Sequence, residues 1–180
     1  MNATVALLGL VSETPTINGR IKLQKLAYFS KVHAKQSPLQ FRMHFYGPFC
    51  EDLADTLQDF VLDGVLQEGR DHSISIGEDQ AAFQDICESN QQALDDALPS
   101  IRKALKKFGE KKNHDLELLA TVHFIYDRQH NLYQENDDMT AVCKSVYKVK
   151  NGRFEDTEIL AAFKELVTLK LIPEKALVVG

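Results

Sequence analysis

The sequence predicts a mainly α-helical protein with a small β-hairpin: an N-terminal winged helix-turn-helix-like unit packed on a C-terminal helical bundle. Three observations point there. Three helical segments precede a hairpin signal within residues 1–77, which is the order of a winged helix. Residues 78–180 carry apolar side chains almost entirely at helical spacing. With 44% hydrophobic and 26% charged residues over 180 positions, the chain has enough apolar content for a core. The winged-helix-like region (1–77) and the helical region (78–180) are expected to form one continuous compact domain.

The elements follow in order. An apolar helix spans roughly Thr4 to Val11 and ends in the turn-rich Ser12-Glu13-Thr14-Pro15. Asn18 is a plausible cap for a second helix from about Arg20 to Lys35, with Ile21, Leu23, Leu26, Phe29 and Val32 at helical spacing; Ser37-Pro38 stops it. Tyr46-Gly47-Pro48-Phe49 is a turn that launches a third helix. There Leu53, Leu57, Phe60 and Val61 form the apolar stripe, and Gly64 stands where a C-terminal glycine belongs. Val65 to Glu68 and Ser73 to Ile76 flank Gly69-Arg70-Asp71-His72, a hairpin signal.

Beyond it, Glu78 to Ala97 reads as a helix that Pro99 kinks or restarts, continuing through Ile101, Leu105 and Phe108 to a stop at Gly109. Asp115 is positioned to cap a helix through Leu116, Leu119, Val122, His123 and Tyr126. That segment is apolar nearly all round, the signature of a buried helix. Asp137 or Asp138 opens another helix through Val142, Cys143 and Val146. Asp156 opens the last, with Ile159, Leu160, Phe163, Leu166 and Val167 inward and Pro173 ending the region.

Charge and motif content narrow the function classes. The formal net charge is -5, without the basic surplus usual in nucleic-acid-binding domains. The apolar run Ala6 to Val11 is far too short to cross a bilayer and lacks a basic leader. Cys50, Cys87 and Cys143 are odd in number and form no C-x-x-C pair, as in reduced cytoplasmic proteins. A soluble, cytoplasmic protein without a membrane partner is the expectation. No G-x-S-x-G elbow, P-loop or dinucleotide fingerprint occurs, so no catalytic residue and no cofactor is nominated. His123, Asp127 and His130 share a helical spacing of i, i+4, i+7. The segment is apolar and supplies no fourth ligand, so the reading is a core histidine rather than a metal site.

The third helix is the most informative element. Glu51, Asp55, Asp59 and Asp63 fall at successive i+4 steps with Asp52 beside them, and no Lys or Arg occurs from Phe45 to Gly69. In a DNA-reading winged helix this is the helix that enters the major groove, where phosphates demand positive charge. One reading is a solvated acidic face. The other is a negative strip that docks into a basic cleft. Arg102, Lys103, Lys106, Lys107, Lys111 and Lys112 form a basic run, either the exposed side of an amphipathic helix or a nucleic-acid contact. Tyr28, Tyr46, Gly47 and Pro48 read as scaffold, with the rings against the second helix. Lys25 is placed to bridge an acid of the third helix.

Two stretches carry a family resemblance. One is Leu23-Gln24-Lys25-Leu26-Ala27-Tyr28-Phe29 with Phe45-Tyr46-Gly47-Pro48-Phe49, Leu53 and Gly64. The other is the segment Leu116 to Tyr126 with the Phe154 to Ile172 helix. Together they resemble the YwgA-like proteins of bacteria and archaea and, more distantly, the SocA-like (Panacea) antitoxin domains. The YwgA-like domain is also similar to the toxin-neutralising C-terminal domain of DarG antitoxins, whose other half is an ADP-ribose-hydrolysing macrodomain. No glycine-rich ADP-ribose loop occurs in this chain, so the resemblance implies the neutralising module alone and no hydrolase activity.

The expected function is therefore a non-enzymatic protein-interaction module of antitoxin type. Its partner is a cognate toxin with a basic nucleic-acid-binding cleft, a DNA ADP-ribosyltransferase being one such toxin. The interface is the acidic helix with Tyr46, acting by DNA mimicry. The alternative is a winged-helix DNA-binding transcriptional regulator using Arg70, His72 and the run Arg102 to Lys112.

Overall fold

The computed structural model describes residues 1–133 and 138–177. It is mainly helical with a small antiparallel sheet, as the sequence predicts. The chain divides into two compact units: residues 1–42 with 49–111, and residues 43–48 with 112–177 of the described chain.

In the first unit, α1 (Ala3–Glu13) is capped by the Asn2 side chain, which accepts from the Val5 N–H at 2.9 Å. It is buried from Val5 to Val11, so its apolar run is core rather than surface. Strand β1 (Ile17–Asn18) leads into α2 (Arg20–His33). Ahead of α3 (Glu51–Leu62), strands β2 (Arg42–His44) and β3 (Gly47–Phe49) pair as a hairpin, of which residues 43–48 belong to the second unit. Strands β4 (Leu66–Glu68) and β5 (Ser73–Ile76) follow, with Leu66 opposite Ile76 and Glu68 opposite Ile74. β1 adds to the other edge of β5, Ile17 opposite Ile74. The sheet order β1-β5-β4, with α2 and α3 between β1 and the hairpin, is that of a winged helix.

The same unit continues through α4 (Gln80–Ser89) and α5 (Gln91–Phe108). Here the expected kink moves. The break falls at Asn90, whose amide donates to the Ile86 carbonyl at 2.8 Å and so competes with helical bonding, whereas Pro99 lies inside α5. Leu94, Ala97, Ile101, Ala104 and Phe108 are buried on both sides of the proline, and α5 packs on α1 and α2. That continuous face outweighs the single helical bond Pro99 removes. Phe108 stacks on Phe29 with centroids 3.8 Å apart.

The second unit is built on α6 (Asn113–Asp127), α7 (Met139–Val149) and α8 (Asp156–Thr168), which pack pairwise. Every residue from Leu116 to Tyr126 is buried, matching the all-round apolar reading. One cap differs from expectation and two helix starts fall where the sequence places them. Lys112 precedes α6, and Asp115 sits inside its first turn, where a carboxylate suits the positive helix end. Asp138 caps α7 by accepting from the Ala141 N–H, while Asp137 lies outside the described residues. Asp156 opens α8, and Glu155 before it caps the helix through a capping box with Glu158. No helix among the described residues is long and apolar enough to cross a membrane.

Candidate functional site

The position of α3 is set by a motif residue. Cys50, at its N-cap, makes no side-chain cap. Instead the buried Gln24 of α2 donates its amide to the Cys50 carbonyl at 3.0 Å and accepts from the Cys50 N–H at 2.9 Å. Leu23 and Leu26 beside it are core, and Lys25 is buried at 1% exposure rather than lying on the surface. Upstream, Gly47 has φ +82, a conformation glycine adopts without penalty, which turns the chain before Pro48. Leu53 and Leu57 then bury, with Phe60 and Val61 half-buried. At the far end Asp63 is the C-cap, and Gly64 follows at φ +74 where the sequence places a terminating glycine.

This orientation turns Glu51, Asp52, Asp55, Asp59 and Asp63 outward, all exposed. Among the described residues none of the five forms an ion pair with a base. Arg20 of α2 reaches α3 but pairs with none of its acids. Its guanidinium forks onto Glu68 of β4 at 2.7–3.1 Å and reaches Gln58 of α3 at 3.1 Å. Glu51 and Asp52 lie at the favourable end of the helix dipole, but Asp59 and Asp63 lie at the unfavourable one.

The basic run is the outer side of α5. Arg102 pairs with Glu13 of α1 through two bonds of 2.8 Å, and Lys103 and Lys106 are exposed. Lys111 and Lys112 lie beyond the helix end. At the hairpin, Asp71 accepts from the hydroxyl and N–H of Ser73, which hold its carboxyl below the usual range, and Arg70 is exposed.

The predicted histidine row does not converge. His123 is buried, Asp127 is exposed and accepts from Asn131 at 2.8 Å, and His130 stacks on Tyr126. No group of three His, Cys, Asp or Glu among the described residues is arranged to hold a metal. The three thiols are all pushed up, chiefly by burial, Cys143 to about 11, so none is a thiolate at neutral pH.

The second unit holds a cluster that sequence reasoning missed. Lys150 and Glu117, each 3% exposed in the side chain, pair at 2.6 Å, and Arg153 reaches the same Glu117 oxygen at 3.1 Å. Lys150 also donates to the Phe45 carbonyl. Tyr46 belongs here rather than against α2: its ring meets Phe45 edge-on, and the Arg153 guanidinium stands 5.1 Å from its centroid. Tyr28, by contrast, packs in the first unit on Phe41. The available signal was Glu117 itself, a carboxylate inside an otherwise apolar helix, which must find a buried partner.

These features define a winged helix whose third helix is acidic and unpaired, followed by a helical unit with a buried charge cluster. No family model matches the chain. It is similar to a protein described as uncharacterized protein YwgA of Bacillus subtilis strain 168. The two are 25% identical, over 83% of this chain and 89% of that one. The likeness is distant but runs along most of both chains, in keeping with the YwgA-like motifs.

Proposed function

We propose that this protein is a protein-interaction module of antitoxin type, which docks α3 into a basic, nucleic-acid-binding cleft of a toxin and blocks it. The observation that carries the reading is the row Glu51, Asp55, Asp59 and Asp63: exposed, without basic partners, on the helix that a DNA-reading winged helix would insert into the groove. A row of like charges at i+4 costs a few tenths of a kcal/mol per pair. Two of its members also oppose the helix dipole. The dipole offsets part of that cost at Glu51, and the fold carries the rest without basic partners, as expected of a surface kept for a partner.

The similarity of YwgA-like proteins to toxin-neutralising domains supports the same reading. It rests on α3 alone, since Tyr46 belongs to the aromatic–arginine cluster of the second unit. A DNA-bound regulator has less support: Arg102 is engaged by Glu13, and α3 would repel phosphates. A duplex-DNA gel shift across a salt series separates the two. An interaction module gives no shift at any salt, while a shift that weakens steeply as salt rises would establish the regulator.

A further inference from the structure

The second unit carries an aromatic patch that faces solvent. Phe45, Tyr46 and Tyr147 are 68%, 41% and 48% exposed, although phenylalanine is among the residues most often buried. The three rings gather rather than scatter. The Arg153 guanidinium stands 5.5 Å from the Phe45 centroid and 5.1 Å from that of Tyr46. Tyr147 lies against the neighbouring Gly152, where an added Cβ would meet its hydroxyl oxygen at 3.2 Å. The patch is also held in place: Lys150 donates to the Phe45 carbonyl, and the buried Glu117 pairs with both Lys150 and Arg153. Fixed aromatic rings around an arginine are the composition of an interface hot spot.

Charge indicates what covers it. Residues 43–48 and 139–154 contain no Asp or Glu. Lys144 and Lys148, one i+4 step apart on α7, are exposed and form no ion pair among the described residues. Asp138 and Glu155 bound that stretch and serve as helix caps. Asp156 stands near enough to Cys143 to help raise its thiol, so the surface is most basic toward Lys148 and Arg153. The complement lies on the same chain. In α3, Asp55, Asp59 and Leu62 follow at i, i+4, i+7 on the outward face, and Leu62 is 74% exposed. The two acids are about 6 Å apart along their helix axis, as are the two lysines along theirs. An acidic stripe ending in an open leucine matches a lysine pair beside open rings.

We propose that the Phe45–Tyr46–Tyr147 patch, with Lys144 and Lys148, receives α3 of a second copy of this chain. The contact joins two different surfaces and covers the α3 face assigned above to a toxin, so at high concentration it withholds that face. This consequence rests on the antitoxin reading, whereas the association is measured on the protein alone, and the two fail separately.

The test is sedimentation equilibrium of the protein across concentration and salt. The average mass is expected to rise with concentration and to fall back toward that of one chain as salt is added. Asp55→Lys/Asp59→Lys and Lys144→Glu/Lys148→Glu, all at exposed positions, each set like charges face to face. Each alone associates at least about tenfold more weakly than wild type. Mixed together, the two variants oppose acid and base at both contacts again, and association returns. Phe45→Ala weakens association with no change in charge. A wild type still monomeric at about 1 mM, association that either reversal leaves intact, or a mixture that stays apart overturns the proposal.

Discussion

Gln24 holds Cys50 by both halves of its backbone, donating to the carbonyl at 3.0 Å and accepting from the N–H at 2.9 Å. The contact spans 26 residues and fixes where α3 begins relative to α2. Replacing Gln24 with Ala leaves the buried Cys50 N–H without a partner, at a cost of about 1–3 kcal/mol, while the Cys50 carbonyl keeps the Ala54 N–H at 3.3 Å. Urea unfolding should show a loss of about 1–3 kcal/mol. A change below about 0.5 kcal/mol, the size of an ordinary surface substitution, would mean that the clamp does not position the helix.

Asp63 sits at the negative end of α3, where a carboxylate opposes the helix dipole. Asp63→Lys is expected to raise stability by roughly 0.5 kcal/mol at low salt, and the gain should shrink as salt is added. Thermal melts of the two proteins across a salt series check this. A loss of stability would show that Asp63 serves the fold.

Lys150 and Glu117 form a buried pair between α6 and the turn after α7. Lys150→Met removes one partner and leaves a carboxylate that is 3% exposed with only Arg153 beside it. Breaking a buried pair in this way should cost about 3 kcal/mol in denaturant unfolding. The double variant Lys150→Met with Glu117→Leu should recover much of that loss, because the isolated charge goes too. If the double variant is no better than the single one, the pair itself is not what holds this region.

How much of this was legible in the sequence follows from the range of each interaction. The α3 stripe and the β4–β5 hairpin are set by neighbours within a few residues, so periodicity and turn residues located them. Strand β1 has two residues, too few to alternate, and only its pairing with β5 makes it a strand. Asn90 and Pro99 both interrupt helices on local rules, and the long buried face of α5 decided between them. Glu117 and Lys150 are far apart in the chain, so no spacing rule joins them. The acid row was legible because it lies on one helix; its lack of basic partners became visible only in three dimensions.

His33 adds a pH dependence. Burial holds its pKa down in the folded state, so below about pH 6.5 the unfolded chain takes up a proton that the folded chain resists. Its contribution to stability is therefore complete above that pH and declines as pH falls toward the depressed folded value. Comparing wild type with His33→Gln at about pH 7.5 and about pH 5.5 should show the wild type losing more stability on acidification. Equal losses would place the pH dependence elsewhere.

The central claim is that α3 docks into a basic cleft of a partner protein. The direct measurement is the affinity of a co-purified partner for wild type and for Asp55→Lys/Asp59→Lys, both residues being exposed and outside the core. The account predicts a partner that binds more weakly as salt rises and that the reversed helix no longer retains. Equal affinity for the two proteins would contradict it.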